Sequence, residues 1–268
     1  MSALTESKFA WEPITPRGVA AFARASFERL LVVQALIALI VALTVVWLLA
    51  RGFFPTVDAA IRQLPETGGI VRGELGLPDA APQLLAEGHF LAFSVDAKHT
   101  GAVRSPAQFQ FEFGSESLLI FSVFGEAEID YPPDQSFYFN RTDLQPMWGA
   151  WAPEILGLTA LAIFFGLLLS WFVLATVYFV PVWLVAFFAN RDLSLLQSWR
   201  LAGAILMPGA LLMALSLWLY GLGVFDLVRL CFAFGMHLIV GWVYLFVSPF
   251  FLRRGTAPEA KNPFAPGK

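Results

Sequence analysis

One cysteine, Cys231, occurs in the 268 residues. No intramolecular disulfide can form, and cysteine usage leaves the redox compartment open. Charge is also scarce: 14% of residues are charged, where a soluble chain has about a quarter. No strongly basic block is present, so the electrostatic footprint of a nucleic-acid binder is missing. The chain contains no Walker loop, G-x-G-x-x-G, H-E-x-x-H, G-x-S-x-G or C-x-x-C. The sequence therefore gives no support to an enzymatic reading and implies no cofactor or metal. What is plentiful is apolar: 58% of residues are hydrophobic and mean hydropathy is +0.68. These residues are clustered, which places the chain among integral membrane proteins.

The polar stretch Met1 to Pro13 is expected to be loose. Thr15-Pro16 then reads as an N-cap with proline at the first helical position. Val19, Phe22, Ala23, Phe27 and Leu30 recur at spacings of three or four, and Arg17, Arg24 and Glu28 fall elsewhere on the wheel. This predicts an amphipathic helix within residues 1–29, lying at the inner membrane surface. Residues 30–50 carry no charge and are long enough to cross the roughly 30 Å hydrocarbon core. The apolar run is too long for a signal peptide and no cleavage site follows, so it reads as an anchor.

Residues 51–152 form the only long stretch suited to water. From Gly52 to Trp151 there are thirteen acidic and five basic side chains, a balance of −8 in a chain whose total is −3. Here the period changes from helical to alternating. Ile70 to Leu75, Phe90 to Val95, Phe109 to Phe113, Leu118 to Val123, Glu126 to Tyr131 and Ser136 to Asn140 read as short strands. Turn signals at 76–79, 98–101 and 131–134 separate them. A small antiparallel sheet is expected, with one short helix around Pro82 to Ala86 and the start, Pro55 to Leu64, prolonging the first span.

Residues 155–190 again lack any charge. Arg191 and Arg200 flank the next polar stretch, and Arg253 and Arg254 follow the last apolar run. Positive residues favour the cytoplasmic side, so an even number of spans should separate the two clusters. Two fit, at 201–220 and 227–251, the first kinked by Pro208. Residues 153–190 are then one crossing with an inner extension, bent or broken at Pro181. The fold class that follows is an α-helical integral membrane protein of about four spans. It carries a small β-rich domain outside, inserted between spans 1 and 2, and both termini lie inside at the inner (plasma) membrane. The tail 252–268 is expected to be disordered.

Candidate functional residues are few. His237 falls near the middle of the last span, where an ionisable side chain is costly and marks a functional hypothesis. The bland alternative is a neutral ring bonded to Ser170, Thr176 or Ser216. Asp226 and Arg229, spaced i, i+3, can pair at the outer interface or meet a headgroup. His237, Asp226 and Arg229 make up the candidate intramembrane polar site. Glu126, Glu128 and Asp130 alternate and so share a strand face, which suits a solvated edge better than a cation site. His89, His99 and Asp96 match no metal spacing. Asn140-Arg141-Thr142 has the form of a glycosylation sequon.

The order of features resembles a bacterial family of polytopic membrane proteins of unknown function. Some of its members are labelled maltodextrin-utilisation accessory proteins, and the family is distantly similar to Yip-type membrane proteins. The likeness rests on the aromatic entry Phe22 to Leu30, Leu64-Pro65, Ile70 to Leu75, Phe93-Ser94-Val95-Asp96, and Ser198-Trp199-Arg200-Leu201-Ala202 through Pro208. The uninterrupted 155–190 run departs from the family pattern, and the resemblance implies no catalytic residues. Three readings of function remain open. The leading one is a non-enzymatic binding, sensing or accessory subunit acting through the acidic outer domain, with membrane lipids and a protein partner or second copy around it. The others are a transporter component with a path near His237, and a membrane enzyme on lipid or glycan using Asp226, Arg229 and Glu154.

Overall fold

The computed structural model describes residues 11–78 and 81–255; the expected loose start, up to Ala10, and the expected disordered tail from Thr256 lie outside them. Among the described residues, four helical stretches are long and apolar enough to cross a membrane: Phe27–Gln63, Arg141–Phe188, Leu195–Gly221 and Leu227–Phe251. The chain divides into two compact units. A helical unit comprises residues up to Val41, Ile163–Leu215 and the chain from Phe232. A β-bearing unit comprises Ala42–Ala162 and Ser216–Cys231.

The helical unit begins with α1 (Pro16–Ala21), capped by Thr15, whose hydroxyl accepts from the Gly18 amide. A 3₁₀ turn (Phe22–Arg24) follows, and the chain turns extended at Ala25. Ser26 then accepts the amide of Arg29 at the head of α2 (Phe27–Leu48). The expected amphipathic helix is thus two pieces. Its apolar face is not spread on a membrane surface either: Val19, Phe22 and Ala23 are fully buried in the chain's own core, with Leu201 and Ile205. The guanidinium of Arg200 donates to the Ala25 carbonyl at 2.9 Å and so holds this corner.

The third apolar stretch starts earlier than hydropathy suggests. α5 (Leu195–Ala204) opens on a reciprocal capping box between Ser194 and Gln197. It stops at Ile205 and Leu206 before α6 (Met207–Gly221). Pro208 accounts for the break: it has no N–H for the carbonyl of Ala204 and its ring crowds that carbonyl. Buried Gln34 in α2 donates to the Gly203 carbonyl at 3.2 Å, so it satisfies an acceptor in the last turn of α5.

α4 (Arg141–Phe188) is a single helix of 48 residues. It runs unbroken through Pro181 and begins well before residue 153. At about 1.5 Å per residue it is some 70 Å long, more than twice a hydrocarbon core. After it, Arg191 bridges to Arg254 and donates to the Leu252 carbonyl at 2.8 Å. The basic stretch after α4 and the basic stretch after α7 (Leu227–Val247) are therefore at the same end of the helical unit.

In the β-bearing unit, α2 continues through a π-helical turn (Leu49–Phe53) into α3 (Phe54–Gln63). Pro55 lacks the N–H that Arg51 would need, and the register slips so that Phe54 donates to Leu49. β1 (Gly69–Val71) and β2 (Glu74–Gly76) form a hairpin about Arg72 and Gly73, both at positive φ, rather than one strand. With β8 (Ser136–Tyr138) they make a sheet of order β2-β1-β8. The larger sheet has order β3-β4-β5-β6-β7, from β3 (Gln83–Glu87), β4 (Leu91–Val95), β5 (Phe109–Phe113), β6 (Ser117–Ser122) and β7 (Gly125–Asp130).

Two expectations fail here. The short helix around Pro82 to Ala86 is strand β3, because pairing with β4 satisfies its backbone. The sheet is also not wholly antiparallel: β4 and β5 run parallel. A parallel pair needs a long crossover, and the chain from Asp96 to Gln108 supplies it.

The sheet is packed on helix ends through Phe90, which is buried with Leu48, Tyr220 and Leu227. Its ring stacks on Phe53 at 5.3 Å and lies 4.7 Å from that of Tyr220. Gly52 makes room, since a Cβ there would sit 2.8 Å from the Phe90 ring. Residues 52–152 are therefore not a self-contained domain; part of their core comes from 216–231. Phe90→Ala is expected to cost about 3–5 kcal/mol. Thermal melting with limited proteolysis of the intact chain checks it, the β strands becoming cleavable before the helices.

Candidate functional site

Strand β5 carries the alternation Phe-Gln-Phe-Glu-Phe, which suggests aromatics inward. The burial runs the other way. Gln110 is 3% exposed and Glu112 fully buried, while Phe109, Phe111 and Phe113 are half-buried. The crossover causes this by lying over the polar face. Gln110 donates to the Ser94 hydroxyl at 2.9 Å and to the Val103 carbonyl at 3.0 Å, and its oxygen accepts the Ser105 amide. The register puts Ser117, Glu126, Glu128 and Asp130 on that same face.

Glu112 is the centre. One carboxylate oxygen accepts from His99 Nδ1 at 2.9 Å and the other from the Arg104 guanidinium at 2.9 Å. Arg104 also lies 4.2 Å over the Phe121 ring, so its charge is held from two sides. His99 Nε2 is 3.2 Å from the Ser117 hydroxyl, which is itself 2.7 Å from Glu128. Two carboxylates are thus linked through an imidazole and a hydroxyl. The Ser117 proton cannot serve both neighbours. Given to Glu128, it requires His99 to donate from both nitrogens. Given to His99, it leaves Glu128 without that donor.

The backbone is shaped to hold the ring. His99 sits at φ 50°, and a Cβ on Gly114 would come within 2.0 Å of His99 Nε2. Asp96, 1% exposed, sets the turn before it. Its carboxylate accepts the Thr100 hydroxyl at 2.7 Å and the amides of Gly101 and Lys98 at 3.1 and 3.3 Å. Burial alone pushes the Asp96 carboxyl upward, but the hydrogen bonds from Thr100, Lys98 and Gly101 outweigh it, and the result lies below the usual value.

Glu112, His99 and Ser117 stand in the order of an orienter, base and nucleophile. The chemistry points away from acyl transfer. Ser117 is 4% exposed within a strand, and the Glu128 carboxylate beside its hydroxyl would repel a developing oxyanion. The arrangement is suited to fixing the crossover and to presenting an acidic face. β7, the outer strand, is exposed along its whole length, with Glu126, Glu128 and Asp130 side by side on that face. The Phe124 turn before it is 66% exposed.

Asp226 caps α7, accepting the Arg229 amide at 2.7 Å, and its carboxylate is 3.7 Å from the Arg229 guanidinium, which also donates to the Val224 carbonyl. The pair is thus locally satisfied, and among the described residues Glu154 forms no ion pair with it. His237 lies more than two turns further along α7. Its Nδ1 donates to the carbonyl of Phe234 in its own helix, while Ser170 and Thr176 donate to Leu167 and Phe172 in theirs. His89 goes to Gln108, which accepts from Tyr220, and does not join Asp96 and His99. No group of three His, Cys, Asp or Glu able to hold a metal occurs among the described residues. The sequon is closed off: Asn140 is 5% exposed and its amide donates to Gly68 and Asp143. Glu112 and Arg104 were not legible as site residues, because a glutamate between phenylalanines reads as the solvent side of a strand.

No family model, curated protein or solved structure matches the chain. The family likeness read from the residues stands on those residues alone.

Gly114→Ala is expected to displace the His99 ring and cost roughly 1–3 kcal/mol through the partners left unmade. His99→Ala in the Gly114→Ala background should add little further loss, and a double-mutant cycle by thermal melting measures this. Asp96 gives a pH prediction. Its folded value is depressed, so its stabilisation is present above the unfolded value of about 3.9 and is lost as pH falls through the folded one. Asp96→Asn should lower stability at neutral pH and flatten the acid limb below about pH 4, read from melting curves across pH.

Proposed function

We propose that the chain is a four-span protein of the cell's inner (plasma) membrane that acts as a binding, sensing or accessory subunit through an acidic β domain held outside. The observation that carries this reading is the crossover locked over a polar sheet face. It spends a buried carboxylate, an arginine and a histidine on presenting Glu126, Glu128 and Asp130, without a nucleophile able to use them. A partner with complementary positive charge fits that face, since charge complementarity sets encounter rate and specificity. The orientation draws support from Arg191, Arg200, Arg253 and Arg254. Two of these flanks are bridged at one end of the helical unit, and such clusters favour the cytoplasmic side. Both termini are then inside.

The reading is tested in a Cys231→Ser chain carrying a single reporter at position 126 or 192. A membrane-impermeant maleimide should label Glu126→Cys in intact cells and Asp192→Cys only after permeabilisation. A photocrosslinking residue in place of Phe124, in the same cells, should give a discrete adduct that disappears when Glu126, Glu128 and Asp130 are neutralised together. Inverted labelling rejects the topology. No adduct, or one indifferent to neutralisation, rejects the acidic face as the binding surface.

A further inference from the structure

Within the helical unit lies a cavity of about 300 Å³, walled by α2, α4, α6 and α7 and by the break at Ile205 and Leu206. Its lining is almost wholly apolar and aromatic: Trp171, Phe234 and Trp242 stand with Leu167, Leu174 and Leu245. That volume is at the lower end for small-molecule sites, about 300–1,000 Å³, which typically pair apolar walls with a few fixed polar groups. His237, Ser170 and Tyr178 bring polar groups to the wall. Ser170 gives its proton to Leu167 in its own helix.

His237 differs. A carbonyl only accepts, so the bond to Phe234 fixes the ring proton on Nδ1. In the neutral ring this leaves Nε2 as a hydrogen-bond acceptor on a residue of the cavity wall. The wall also shows local accommodation. A Cβ on Gly209 would come within 2.7 Å of the His237 carbonyl, so glycine there lets α6 approach α7. At Gly241, on the cavity wall, a Cβ would meet nothing within 4 Å.

We infer that this cavity binds a membrane-soluble molecule with an apolar body and one hydroxyl, an alcohol or a phenol, whose O–H donates to His237 Nε2. A carbonyl compound or ether of the same shape offers His237 no donor. The inference is independent of the outer domain's role.

The test uses the purified full chain in phosphatidylcholine vesicles and a diazirine-bearing long-chain alcohol as photoprobe. Labelling of α4 and α7 peptides is expected, competed by the parent alcohol and roughly five- to ten-fold less well by its methyl ether, as one hydrogen bond predicts. His237→Phe keeps an aromatic ring and should equalise alcohol and ether. Gly241→Leu fills open space and should abolish labelling while leaving the melting temperature unchanged or higher. Equal competition by alcohol and ether in the unaltered chain overturns the hydroxyl recognition. Labelling that survives Gly241→Leu marks ordinary acyl-chain contact and overturns the site.

Discussion

A carboxylate with no solvent contact has to be paired, and Glu112 is such a group. Removing a charge from water costs several kcal/mol. Glu112 meets that cost with His99 on one oxygen and Arg104 on the other. Both partners come from the same irregular segment, so the constraint on one side chain becomes a constraint on the path from Asp96 to Gln108. That path is what allows β4 and β5 to lie parallel. It also puts the polar side of β5 beneath cover and the phenylalanines at the sheet's other face. The acidic outer strand is then presented by a framework that its own charges do not have to hold together.

Much of the architecture follows from local rules and was legible. The apolar runs mark the four long helices, and Pro208 marks the break between α5 and α6. The Arg191–Arg254 bridge puts the two basic stretches at one end of the helical unit. Strand positions from β4 to β8 follow from alternation. What failed did so where tertiary cover overrides local pattern. The period of β5 is two, as read, but period alone cannot say which face is inside when a crossover covers the polar one. β3 reads as helical because its partner strand is not visible from its own residues. Phe22 and Val19 have the spacing of a lipid-facing stripe, yet α5 occupies that stripe. The Ser194–Gln197 capping box was present in the sequence and places the start of α5 ahead of the apolar run.

The candidate polar residues divide by environment. Asp226 and Arg229 satisfy one another at a helix start, and Asn140 is consumed in capping α4. His99 and His237 are the two imidazoles with bonding capacity of interest, and they differ in kind. His99 links two carboxylates beside a solvated acidic face. His237, on the wall of an apolar cavity, has one nitrogen committed to its own helix.

The buried Glu112 carboxylate, paired with Arg104 and His99 at its edge, locks the crossover over the sheet. Hydrogen–deuterium exchange on the full chain in vesicles measures it directly. The amides of Gly101 and Ser105, which donate to Asp96 and Gln110, should exchange as slowly as those of β4 and β5. In Glu112→Gln they should exchange faster while β4 and β5 stay protected. Fast exchange across 96–108 in the unaltered chain would mean that the Glu112 pairing does not hold the crossover.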